Sequence, residues 1–150
     1  MPPERNSRPT WRHTTVNCLD STFLIDLLDQ DRRGHNAARS WLAANRDVPL
    51  YAPTFALWEV FRGAARLDGV EAVEPLSVEL DWLEPLPLSR PAVIEAAIIE
   101  AELREQGHEI SAADYPIAGT ARNAGATVVT SDPDFEHVRG LDVDRYTTGP

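Results

Sequence analysis

Five carboxylates fall where chemistry could use them. Asp20 follows the apolar run "TVNCL", Asp114 opens "DYPIAGTARNAG", and Asp132 and Asp134 flank Pro133 just after "TVVT". Glu59 differs, lying inside the helix-like stretch "FALWEVFRGAARLDG". Several carboxylate oxygens converging on one point hold hard divalent cations. A cation held in this way lowers the pKa of its water and stabilises a departing oxygen, as phosphodiester hydrolysis requires. Each acid also has a local explanation. Asp20 can cap the helix that follows it. Ser111 and Asp114 have capping-box spacing, and Asp132-Pro133 is ordinary turn chemistry. Glu59 shares a helical face with Arg62 and Arg66, opposite Leu57, Trp58, Phe61 and Ala64. That face suits a solvated Glu–Arg stripe. It equally suits a cleft wall where Glu59 meets a metal and Arg62 or Arg66 meets phosphate. Four acids at separate elements weaken the local explanations jointly, but spacing alone does not make them converge.

The elements that must position these acids alternate in type. "TTVNCLD" (residues 14–20) reads as a short buried strand. "STFLIDLLDQD" carries Phe23, Leu24, Leu27 and Leu28 at helical spacing. "HNAARSWLAANR" is a second helix with Ala38, Trp41 and Leu42 inside, and "VPLYAP" is a short extended piece. Thr54 is placed to cap the next helix, which stops near Gly69. Residues 70–83 read as a helical region interrupted at Pro75. "EPLPL" suits a sheet edge, because its two prolines donate nothing to a ladder. "SRPAVIEAAIIEAELREQG" has a Ser89 cap, Pro91 in its first turn and a Gly107 stop. A helix over residues 111–125, the strand "TVVT" and a last strand "LDVDRY" complete the chain. This alternation predicts an α/β domain with a mainly parallel sheet. In such sheets ligands bind beyond the carboxyl ends of the strands, where Asp20 and Asp132 fall.

Composition narrows the class. The chain has 150 residues, 43% of them hydrophobic, which suits one globular domain. No apolar run approaches the roughly 20 residues of a membrane span. The polar, arginine-bearing start reads as a loose tail over residues 1–13, ahead of a domain over residues 14–150, and a cytoplasmic location is expected. Cys18 is the single cysteine, so no intrachain disulfide and no thiolate metal site forms, and a buried apolar role is expected for it. The four histidines lack metal-ligand spacing and suit solvated or capping roles. Trp41, Trp58 and Trp82 sit among apolar residues and are expected in a core or a dimer interface. "FLIDLL" and the Trp58 face suit a dimer seam. Twenty-four acids face 14 basic residues, every one of them arginine, for a net charge of −10. That balance argues against a broad nucleic-acid-binding face. An acid-rich, lysine-free chain is similar to proteins of salt-loving microbes, where ~1 M salt screens charge over ~3 Å; genomic GC bias also favours Arg over Lys.

The segments "LDSTFLIDLL", "ALWEVFRGAARL" and "ISAADYPIAGTARNAGATVVTSDPDFEHVRGLDV" resemble PIN domains in order and spacing, with VapC-type toxins of toxin–antitoxin pairs as the nearest type. The resemblance spans roughly residues 16–146. It implies a three-layer α/β/α sandwich with a parallel sheet. It implies a Mg²⁺- or Mn²⁺-dependent endoribonuclease, a homodimer restrained by a small antitoxin, and RNA as substrate. Carried over by position, the catalytic acids are Asp20, Glu59, Asp114 and Asp132, with Asp134 a further metal ligand. Ser21 or Thr22 matches the hydroxyl that often follows the first aspartate, and Thr130 matches a threonine before the last acid. Two departures stand out. Ser131-Asp132 replaces the family's frequent Arg-Asn after the threonine, so either Asp132 or Asp134 is the last ligand. Pro116 follows Asp114 by two residues, which leaves the orientation of Asp114 open. Arginine must supply the phosphate contacts, and Arg62, Arg66, Arg32 and Arg33 are placed for it.

Other classes fit less well. A haloacid-dehalogenase-type phosphatase needs an aspartate two positions after the first, where Thr22 stands, and a receiver domain needs a lysine that the chain lacks. A non-catalytic PIN-like binding module acting through a protein partner is the remaining alternative.

Overall fold

The computed structural model describes residues 15–147. The tail expected over residues 1–13 lies outside the described residues. Five strands form one sheet in the order β3-β2-β1-β4-β5, with every neighbouring pair parallel. They are β1 (Asn17–Leu19), β2 (Leu50–Pro53), β3 (Glu84–Leu86), β4 (Thr127–Thr130) and β5 (Asp142–Arg145). Six helices connect them: α1 (Ser21–Leu28), α2 (His35–Ala44), α3 (Thr54–Asp68), α4 (Val73–Glu79), α5 (Arg90–Gln106) and α6 (Asp114–Ala124).

The two central strands explain the layering. A strand covered on both faces is apolar throughout, and its side chains alternate between the faces. Cys18 and Val128 face one core with Ile99, Leu103, Ile117 and Phe135. Leu19 and Val129 face the other with Phe23, Leu24, Val60 and Leu80. Helices α5 and α6 cover the first face and α1 to α4 the second, giving the α/β/α sandwich. Burial deprives Cys18 of solvent and raises its thiol pKa, so it is an inert apolar filler. Gly119 lets α6 approach α5 closely: a methyl there would fall 2.6 Å from both the Ala92 carbonyl oxygen and the Ala96 nitrogen. The edges are blunted by Pro85 in β3 and by Asp142 and Asp144 in β5.

Local departures from expectation have local reasons. The first strand is only three residues long, because Asp20 has already become the cap of α1. Helix α1 stops at Leu28 and α2 at Ala44, where their apolar patterns run out, a few residues short of the polar ends "DQD" and "NR" read with them. Thr54 is not a cap. It is the first residue of α3, and its hydroxyl accepts the Leu88 N–H at 3.2 Å. Pro75 does not interrupt its helix, since it falls in the first turn of α4, where an N–H has no acceptor in any case. Trp58 and Trp82 are not core residues, being 49% and 39% exposed, whereas Trp41 is half-buried edge-on to Phe23. His108 and His137 are exposed and stack on each other, with ring centroids 4.4 Å apart.

Candidate active site

The strand order runs outward from β1 to β3 on one side and from β4 to β5 on the other. The chain therefore switches direction between β1 and β4, and the C-terminal ends of this adjacent pair form the crevice where parallel sheets place their ligands. Asp20 leaves β1 there, and Asp132 leaves β4 two residues after Thr130.

Asp20 is 2% exposed and held from three directions. Its carboxylate accepts the Phe23 N–H at 2.9 Å and the Thr22 hydroxyl at 2.8 Å, and it accepts a close hydrogen bond from the Thr130 hydroxyl. Capping is therefore real, and it also aims the carboxylate. Burial pushes its pKa up to about 6, with Asp132 adding to the rise, although all three donors oppose it. The Thr130 hydroxyl also accepts the Asp132 N–H at 3.0 Å, so one side chain ties the first acid to the loop of the last. Thr22 thus fills the supporting role on Asp20, while Ser21 bears on Glu59.

Asp132 caps a 3₁₀ turn over Pro133–His137, where its Oδ1 accepts the Asp134 N–H at 2.9 Å. The turn explanation is correct, and it leaves the other oxygen uncommitted. Asp114 is the first residue of α6, not part of a side-chain capping box. Its N–H donates to the Ser111 carbonyl at 2.9 Å. Pro116 consequently lies in the first turn and costs no hydrogen bond. Asp114, Asp132 and Asp134 each place a carboxylate oxygen within 4.8 Å of the others. Asp20 and Glu59 are outside this trio but bear on it. Burial, then Asp132, Asp20, Glu59 and Asp134 in turn, push the Asp114 pKa up to about 7. Three of the five sequence-selected acids therefore converge, the other two act on Asp114 through their charge, and the trio pairs Asp132 with Asp134 where the sequence had to choose.

Glu59 is half-buried, and its Oε1 has no hydrogen-bond partner among the described residues. Burial raises its pKa, while the Ser21 hydroxyl and Arg62 lower it. A buried carboxylate oxygen left without a donor costs free energy unless a cation or water serves it. That orphan, beside three converging carboxylates, suits a hard divalent cation; no thiolate or imidazole belongs to the set.

The arginines separate. Arg62 lies over the Trp58 ring at 4.4 Å and acts on Glu59. Arg66 is exposed in the last turn of α3, with no ion-pair partner among the described residues. Arg32 donates from Nε to Asp26 Oδ1 at 3.0 Å, and exposed Arg33 follows it on the α1–α2 turn. Sequence reasoning passed over Asp26, which is 5% exposed, and Tyr146, whose hydroxyl donates to Asp26 Oδ2 at 2.6 Å. The available signal was one charged residue inside the apolar run "FLIDLL".

The PIN domain family model matches residues 18–141. No curated protein matches the chain by sequence. Solved structures share the fold. DNA-bound VapBC from Salmonella typhimurium is 24% identical, with a TM-score of 0.76, covering 89% of this chain and 99% of that one. VapBC2 from Rickettsia felis, bound to a promoter DNA fragment, is 20% identical, with a TM-score of 0.73, covering 87% and 98%. VapC20 from Mycobacterium tuberculosis, described as a sarcin-ricin loop cleaving toxin, is 18% identical, with a TM-score of 0.65, covering 83% and 98%.

Proposed function

The chain belongs to the PIN domain family, and from that premise we propose that it is a metal-dependent endoribonuclease, the toxin of a toxin–antitoxin pair. One observation carries the reading. Asp114 on α6 and Asp132 and Asp134 after β4 each place a carboxylate oxygen within 4.8 Å of the others, Asp20 after β1 and Glu59 on α3 act on Asp114 through their charge, and none of the five has an arginine ion pair among the described residues. Asp114, Asp132 and Asp134 would hold Mg²⁺ or Mn²⁺, with Asp20 and Glu59 completing the set. When bound, the cation supplies an acidified water and stabilises charge on the leaving oxygen. The chain's own residues do the rest. Thr22 and Thr130 fix the Asp20 carboxylate, Ser21 and Arg62 steady Glu59, and Asp132 orders the loop that carries Asp134. Arg62, Arg66, Arg32 and Arg33 offer phosphate contacts around the crevice.

Two surfaces suit protein partners. A groove of about 890 Å³ runs along α1, α3 and α4, lined by Ile25, Leu28, Leu67 and Leu76, and it reaches Glu59. We assign it to the small antitoxin, in keeping with the two VapBC complexes named above. The exposed α5 residues Val93, Ile94 and Ile98, 50%, 52% and 45% exposed, suit a homodimer seam. Among the described residues no helix is long and apolar enough to cross a membrane, in keeping with action on cytoplasmic RNA.

The test is cleavage of total RNA by the partner-free protein in high potassium chloride, with Mg²⁺, Mn²⁺ or EDTA, and Asp20→Asn alongside. Cleavage that needs both metal and Asp20 is expected. Folded, metal-bound protein that leaves every RNA intact would transfer the site to the binding-module alternative.

A further inference from the structure

A second cleft adjoins the acid crevice and differs in character, since two arginines balance its two aspartates. It encloses about 760 Å³ and is lined by Asp31, Arg32, Arg33, Ser131 and Thr147, with Asp26 at its base. Ser131 lies between Thr130, which donates to Asp20, and Asp132, so the cleft opens beside the reacting centre. Its construction centres on Asp26. That buried carboxylate accepts Arg32 Nε on one oxygen at 3.0 Å and the Tyr146 hydroxyl on the other at 2.6 Å. The Tyr146 N–H in turn donates to the Thr130 carbonyl at 3.2 Å. Gly34 leaves room for the arrangement, since a methyl there would fall 2.0 Å from Asp26 Oδ2.

An arginine gripped only by its Nε presents both terminal nitrogens in a fixed orientation, the geometry that a phosphate accepts bidentately. Among the described residues, the terminal nitrogens of Arg32 and the whole guanidinium of Arg33 have no hydrogen-bond partner. Asp31 contributes one opposing charge at the rim. We propose that this cleft is a phosphate subsite for the RNA strand next to the scissile bond, with Arg32 and Arg33 as its donors and Asp26 as the positioning residue for Arg32. The inference rests on the ribonuclease reading and adds to it a track for the strand: the backbone leaves the acid crevice past Ser131 toward the α1–α2 turn.

The test uses Asp20→Asn protein with Mg²⁺, which leaves RNA intact, and reads anisotropy of a labelled single-stranded RNA across a salt series. Arg32→Ala and Arg33→Ala are each expected to weaken binding about tenfold. Each is also expected to make the log–log salt slope shallower by about 0.7. Arg104→Ala, on the far end of α5, is expected to change neither. Asp26→Asn is expected to weaken binding without adding to the loss of Arg32→Ala, because it acts through Arg32. In active protein the same arginine changes are expected to raise KM and leave kcat unaltered. Unchanged affinity in both arginine variants, or purely additive losses for Asp26→Asn and Arg32→Ala, overturns the subsite while the nuclease reading stands. Absence of any RNA binding by the Asp20→Asn reference removes both.

Discussion

Helix α6 has two charged ends, and they are built differently. At its C-terminal end Arg122 is mostly buried and saturated: it meets Glu95 at 2.7 Å, Glu102 at 3.1 Å and the Arg139 carbonyl at 3.0 Å. Its acids come from α5, so the clamp holds the two helices that Gly119 lets approach closely. At the N-terminal end Asp114 lies with Asp132 and Asp134, feels the charges of Asp20 and Glu59, and has no such partner among the described residues. Both charges agree with the helix dipole. One end spends its charge within the fold, and the other leaves its charge for something that comes from outside.

The largest expected effect breaks the open end. Asp114→Asn should lower metal-dependent RNA cleavage roughly 10²–10⁴-fold, read as kcat/KM, because it would remove a proposed ligand of the activating cation. The same change should raise the melting temperature in EDTA, by about 2–4 °C for each kcal/mol of repulsion relieved. A variant that is less active and also less stable without metal would mean that Asp114 is structural. Breaking the closed end should do the reverse. Arg122→Ala leaves two partly buried glutamates unpaired and should cost about 1–3 kcal/mol in urea unfolding, with activity per folded molecule unchanged. Metal sharpens the contrast: Mg²⁺ at about 100 times its Kd should stabilise the wild type by about 2.7 kcal/mol and Asp114→Asn far less, measured by thermal shift.

Acidity gives a smaller effect with a definite sign. Asp114 titrates at about 7 and Asp20 at about 6 in the fold, against an ordinary 3.8 for each. Raised carboxylate values mean that the folded chain binds these protons more tightly. Their contribution to stability is complete below about pH 4 and is lost as pH rises through 6 to 7. In EDTA the melting temperature should therefore fall across that window, and Asp114→Asn should flatten the fall. Metal affinity should rise over the same range. The smallest effect concerns the surface. Arg104, exposed and facing Glu100 and Glu109, should cost less than about 0.5 kcal/mol when replaced by alanine.

What the sequence reveals and what it hides follow from the range of the forces involved. Asp20 and Asp132 were legible because a parallel strand must end at the ligand edge, and β1 and β4 are strongly apolar. Ser89, Pro91 and Gly107 mark α5 because caps are local chemistry. The capping role of Asp132 was read as a rival to a metal role, yet the cap uses only Oδ1 and leaves its second oxygen for a cation. Periodicity identified the face of α3 that carries Trp58 but not whether anything covers it, because coverage depends on other elements. Asp26 was missed for the same reason. Its partners, Arg32 and Tyr146, lie 6 and 120 residues away. A buried aspartate in "FLIDLL" makes sense only once the chain end has returned to it.

The hydrogen bond from Thr130 to Asp20 spans 110 residues. Its strand, β4, slots beside β1 only after every element from α1 to α6 has been made. During synthesis at roughly 5–20 residues per second, no shorter nascent chain possesses the crevice. A nascent chain therefore gains the crevice, and whatever chemistry it supports, only as a late event, when β4 has emerged and paired with β1.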